Sequence, residues 1–303
     1  MSKIFISIVA LVLVINANSQ DITGLEKRGL ESLKNHDFDS AINYFTEVIK
    51  LTSQLKVSGR SLSRNFTDAE ENVLRERITV VDPRTAFAYV DRGKAFLAKG
   101  SFADAITDFD SALLIKPEMA SAYHCRATAW ILQNRSDMAL NDFNKALKLD
   151  PALVNGYLGR AMVLLDLGDA TSAFADIERA LKLAPKDANV YYHRGDARRR
   201  TGDDVGALQD FNRSIKLDPG YASAYLGRAT VHLYQCDWDA AMTDYSKSIE
   251  LDINFPQAYA GRGLLLLIQG KDAEAEKDFA RAIGLDSSQR SSIEANIRTI
   301  KNW

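Results

Sequence analysis

Little in this chain is equipped to do chemistry. Its four histidines, His36, His124, His193 and His232, are scattered without metal-ligand spacing. No glycine-rich phosphate loop is present, and no nucleophile motif surrounds any serine or cysteine. Charge of one sign is lacking too: 38 basic residues face 40 acidic ones. That balance excludes a general surface for nucleic acid or anionic membrane. The apolar stretch from Ile4 to Ile15 is too short to cross a bilayer, which takes roughly 20 residues. Proline is scarce, but five of the six, Pro83, Pro117, Pro151, Pro185 and Pro219, stand 34 residues apart.

The rest of the sequence keeps that step. Tyr recurs at 89, 123, 157, 191, 225 and 259, and Arg at 92, 126, 160, 194, 228 and 262. Ala returns at 105, 139, 173, 207, 241 and 275, and Asp at 108, 142, 176, 210, 244 and 278. A strict period of this length marks stacked supersecondary units that bury their apolar faces only against neighbours. Within one period, Tyr89, Gly93 and Phe96 have helical spacing, Gly100 breaks the run, and Phe102 to Leu113 form a second run closed by Pro117. Each unit is therefore expected to be a helical hairpin. Small residues (Gly93, Ala127, Ala161, Gly195, Ala229, Gly263) let its helices approach, and Phe109, Phe143, Phe211, Tyr245 and Phe279 fill the space beside that contact.

An aromatic, a small residue, an alanine, an aromatic and a late proline resemble the tetratricopeptide repeat. The windows run 86–119, 120–153, 154–187, 188–221, 222–255 and 256–289. A degenerate copy at 22–55 carries Leu25, Gly29, Ala41 and Phe45 in matching places. The resemblance implies an all-α, right-handed superhelical solenoid of about seven hairpins. Residues 290–303 read as a closing helix, with a capping-box pattern at Ser291 and Glu294 and an apolar stripe of Ile293, Ile297 and Ile300. Residues 1–19 read as a signal peptide: Lys3, the apolar stretch, then small Ala17 and Ser19. The expected site of the mature protein is the periplasm or the cell exterior, with no stable membrane insertion after cleavage. Residues 56–85 are expected to be an insert with one short helix. A decayed repeat remains open, because Gly59 and Pro83 fall in register.

Catalytic residues are usually unique, so Arg and Asp copied six times point to a structural ladder of ion pairs. Both cysteines, Cys125 and Cys236, lie in repeats three units apart and are expected to be unpaired, packed thiols. Counting each window's first residue as position one, positions two, five, nine, twelve and thirteen share a stripe on the first helix. The family resemblance implies that this stripe lines a concave groove. It reads Val90, Lys94 and Leu97, then His124, Thr128, Ile131 and Leu132, then Leu158, Met162, Leu165 and Asp166. Tyr192, Asp196, Arg199 and Arg200 follow, then Leu226, Thr230, Leu233 and Tyr234, and finally Leu264, Leu267 and Ile268. The stripe fits an apolar peptide-binding groove; a second reading has these residues packing on each other. Arg198 to Arg200 form a cationic seam, either for an anionic ligand group or for internal salt bridges. The sequence thus points to an exported, non-catalytic scaffold that binds a protein or peptide, with no cofactor, metal or nucleic acid. The alternatives are a structural or self-associating envelope component and, more remotely, an enzyme hidden in the insert.

Overall fold

The computed structural model describes residues 21–54 and 83–301. The expected signal peptide and all but the last three residues of the 56–85 insert lie outside the described residues. Those described form an all-α solenoid of fifteen helices with no strand. The degenerate first repeat supplies α1 (21–34) and α2 (Phe38–Gln54). Then come α3 (Pro83–Ala98), α4 (Phe102–Ile115), α5 (Ala120–Leu132), α6 (Ser136–Leu149), α7 (Val154–Asp166) and α8 (Ala170–Leu183). The chain continues through α9 (Ala188–Arg200), α10 (Asp204–Leu217), α11 (Ala222–Tyr234) and α12 (Trp238–Leu251). It reaches α13 (Pro256–Ile268), α14 (Asp272–Leu285) and α15 (Gln289–Lys301). Two compact units divide at Gly156 and Tyr157.

Every hairpin turns the same way. Position fifteen has positive φ in all seven repeats: His36, Gly100, Asn134, Gly168, Gly202, Cys236 and Gly270, between 58° and 85°. The next residue's N–H reaches back to the carbonyl at position eleven, as from Ser101 to Phe96 at 2.8 Å and from Asp203 to Arg198 at 2.8 Å. This six-to-one bond satisfies a carbonyl at the helix end and folds the chain back. Asp37, Asp169, Asp203 and Asp237 then cap the second helix, each carboxylate accepting from a backbone N–H three residues on.

The alanine at position twenty is fully buried in every repeat, from Ala41 to Ala275. Above it the helices meet at the small residue of position eight. A Cβ built on Gly93 would stand 2.5 Å from Phe109 Cε1, and one on Gly263 2.7 Å from Phe279 Cε1. A second close approach had no counterpart in the sequence reading. Gly227 and Gly261, at position six, would place a Cβ 2.6 Å from the Phe211 ring and 2.4 Å from the Tyr245 ring. Each aromatic is therefore held between its own repeat and the next.

Three expectations need correction. Helix α3 begins at Pro83, three residues inside the expected 56–85 insert, with the proline where its missing N–H costs nothing. Helix α15 begins at Gln289, before Ser291, and Asp286 accepts from Ser288 N at 3.0 Å and Gln289 Nε2 at 3.2 Å. Cys236 is an exposed thiol in a turn rather than a packed one, because position fifteen lies outside both helices, whereas Cys125 is half-buried.

Candidate binding surface

The six Arg–Asp pairs lie within the repeats, each joining the two helices of one hairpin across sixteen residues. Arg126 Nε and Nη2 donate to Asp142 Oδ2 and Oδ1 at 2.7 and 2.8 Å. Arg92–Asp108, Arg160–Asp176, Arg194–Asp210, Arg228–Asp244 and Arg262–Asp278 repeat this fork. The carboxylates are buried, with 3% to 7% exposure. Each guanidinium also lies over the tyrosine three residues before it, 5.4 to 5.8 Å from the ring centre. The bonded carboxylate pushes each arginine further up from its ordinary pKa. The free Nη1 edge crosses to the preceding repeat: Arg126 to Asp110, Arg194 to Glu178, Arg228 to Asn212. A hollow lined by Met242, Arg262, Leu266, Glu274, Lys277 and Asp278 surrounds the last rung.

Arg92 crosses to Thr46 at 3.1 Å, a separation of 46 residues where the later rungs span sixteen. The excess of 30 equals the length of 56–85. Accordingly α2 packs directly on α3.

The first helices pack side by side, α3 with α5 in the first unit and α9, α11 and α13 in the second. Their common side carries the expected groove residues. In the first unit Lys94 is exposed, its Nζ donating to Asp91 Oδ1 at 2.9 Å. Leu97, His124, Thr128 and Ile131 are half-buried. The His124 ring sits 5.7 Å from that of Phe143, and Thr128 Oγ1 donates to the His124 carbonyl at 3.1 Å. Burial and nearby Lys94 push the imidazole below its usual pKa. Burial raises the Cys125 thiol to about 11, which removes it as a nucleophile.

In the second unit Met162, Leu165, Tyr192, Asp196, Arg199, Leu226, Thr230, Leu233 and Leu264 are half-buried. Leu226 and Leu233 pack on the Tyr245–Leu265 cluster, and Leu264 on the cluster around Phe279. Tyr234 is 73% exposed and Ile268 39%. Val90 and Leu158 are corrections: each is only 2% exposed and belongs to the core. Val90 packs among Ala86, Phe109 and Ala122, because position five points at the junction of two repeats. The stripe is thus partly self-packed, and its solvent-facing part is narrower than the spacing implied.

Two features were missed. Tyr221, at position thirty-four, sets its ring edge-on to Tyr192 at 5.4 Å and donates to Asn189 Oδ1 at 2.8 Å. Burial pushes the Tyr192 phenol up to about 12. Large side chains at the same place in other windows, Met119, Leu153 and Phe255, were the available signal. Position eleven also supplies a second donor to the ladder: Trp130 Nε1 to Asp142 at 3.2 Å, and Arg198 Nη1 to Asp210 at 2.8 Å. Arg199 pairs with Asp196 at 2.7 Å and Arg200 with Asp166, so the cationic seam is internally paired. Among the described residues no cluster could hold a metal ion, and no helix is long and apolar enough to cross a membrane.

Family models described as tetratricopeptide repeat match residues 63–122, 158–222 and 226–290, and another matches 120–153. The chain belongs to the tetratricopeptide repeat family. Tetratricopeptide repeats generally mediate protein–protein interaction and are typically non-catalytic scaffolds, and no enzyme family is indicated for this one. A tetratricopeptide repeat protein from Parabacteroides merdae superposes with TM-score 0.66 at 18% identity, covering 93% of this chain and 99% of that one. Yeast Tom70 gives 0.55 at 20% identity over 87% of this chain and 60% of its own. PilF from Pseudomonas aeruginosa gives 0.52 at 18% identity over 67% and 92%. These likenesses establish the tetratricopeptide fold alone. No curated protein matches the sequence.

Proposed function

We propose that this tetratricopeptide repeat protein is an exported, non-catalytic scaffold that binds a peptide or helical segment of another protein along the first-helix faces. The observation that carries the reading is a row of apolar side chains at the inner positions, left partly open and ending in exposed Tyr234 and Ile268. Covering such a row removes apolar area from water at about 25 cal/mol per Å². Export rests on the pattern of residues 1–19.

Affinity capture from an envelope or secreted extract tests the groove. The chain from Gln20 onward is compared with a Tyr234→Asp, Ile268→Asp variant whose helicity and melting match the parent. Leu158 is unsuitable for such a test because it is buried. A partner kept by the parent and lost by the variant is expected. Identical partner sets would move binding to another surface. Fractionation with amino-terminal sequencing tests export; an uncleaved chain in the cytoplasm would refute it.

A further inference from the structure

The charged groups on the inner side of the second unit are already paired within the protein. Arg199 Nη2 donates to Asp196 Oδ1 at 2.7 Å, and Arg200 Nη2 to Asp166 Oδ1. Arg198 Nη1 donates to Asp210 Oδ2 at 2.8 Å and to the Gly206 carbonyl at 3.3 Å. The Thr230 hydroxyl donates to the Leu226 carbonyl at 2.9 Å. Beyond α9 the inner positions carry no formal charge: they hold Leu226, Leu233, Tyr234, Leu264, Leu267 and Ile268 around Thr230. A carboxylate or phosphate docked on α9 would meet arginines whose charge is already offset by Asp196, Asp166 and Asp210. Docked on α11 or α13, it would lose its hydration and gain no cation in return.

Resting on the groove reading above, we propose that the occupant of this face is an uncharged apolar segment of a partner protein. Its Leu-, Ile-, Met- or Phe-type side chains would lie on α11 and α13, with no charged group on the contacting side. The triple-arginine run, the most basic feature of the sequence, then belongs to the scaffold and not to ligand recognition. Binding of this kind follows apolar area and is nearly independent of ionic strength, whereas capture of an acidic tail weakens as salt screens it.

The test is selection of a displayed library of random sixteen-residue peptides on the chain from Gln20 onward, with the folded Tyr234→Asp, Ile268→Asp variant as counter-target. Enriched peptides are expected to be rich in Leu, Ile, Met and Phe, to carry little net charge, and to be lost on the variant. The affinity of a synthetic enriched peptide should change less than about twofold between roughly 50 and 500 mM NaCl. Enrichment of acidic peptides that weaken more than about tenfold over that range would overturn the neutral ligand and leave the groove standing. No enrichment, or equal enrichment on the variant, would overturn the groove itself and this inference with it.

Discussion

The first helices carry both the arginines of the Arg–Asp ridge and the expected groove residues, and the two sets behave differently. On the ridge, Arg and Asp form the same forked bond in six repeats, with Asp never more than 7% exposed. On the inner side, position five is a core valine in one repeat, a half-buried histidine in the next and a half-buried tyrosine further on. The forked bond is closed inside one hairpin, so every repeat that carries both residues forms it; the first repeat, with Tyr44 in the Asp place, sets Arg28 over that ring instead. An inner contact depends on what the adjoining hairpin presents, so each position is free to differ.

The sharpest way to break this contrast is to strip a rung. Asp210 holds both Arg194 and Arg198, so Asp210→Ala removes the buried carboxylate that two guanidinium groups share. The expected cost is about 3–5 kcal/mol by urea denaturation followed by circular dichroism. Replacing both partners of a rung, Arg262→Met with Asp278→Leu, leaves stability no lower than the parent's, because no buried charge remains. If Asp210→Ala melts with the parent, the ridge does not hold the hairpins.

The next largest effect concerns the fit between hairpins. Gly261→Val would press a side chain onto the Tyr245 ring, where even a Cβ stands at 2.4 Å, and should cost about 1–3 kcal/mol. Gly284→Ala, with nothing within 4 Å, should instead gain up to about 1 kcal/mol from helix propensity. Equal effects in the same denaturation assay would show that the closeness at position six is not limiting.

These two regions also explain what could be read before the structure. The hairpins, the small residue at position eight and the Arg–Asp partnership follow from one period, because each is completed within or next to one repeat. The burial of Val90 and Leu158 did not follow, since it depends on how closely adjoining first helices approach. Internal pairing of the arginine seam was one of its two readings, but the partners of Arg199 and Arg200 could not be named from the period: they stand three and 34 residues away, at positions that are acidic in no other repeat.

A smaller effect sharpens the inner side. Burial holds His124 and His193 below the ordinary histidine pKa, and the Nδ1 atom of each is buried without a hydrogen-bond partner. The unfolded chain therefore takes up these protons at higher pH than the folded chain does. The stability they permit is complete above the unfolded pKa of about 6.5 and falls as pH drops toward the depressed folded values. The melting temperature should decline on acidification through that window, and less steeply in a His193→Gln variant. An unchanged slope would count against the burial of this ring. Least of all, Cys236→Gly relieves a φ of 58° in an exposed turn and should raise stability by about 1 kcal/mol in the same melts. A loss would mean that the thiol makes a contact worth more than the strain.

The bond from Arg92 to Thr46 has a use outside the native molecule. Thirty extra residues separate the first two hairpins, yet the rung between them closes as the uninterrupted ones do. Assembly here is dictated by the shape of the adjoining surfaces and is indifferent to how much chain connects them, as expected when loop closure costs only about 0.6 kcal/mol per doubling of length. The join after Gln54 is therefore a splice point, where a reporter module could be grafted without shifting the register of the array.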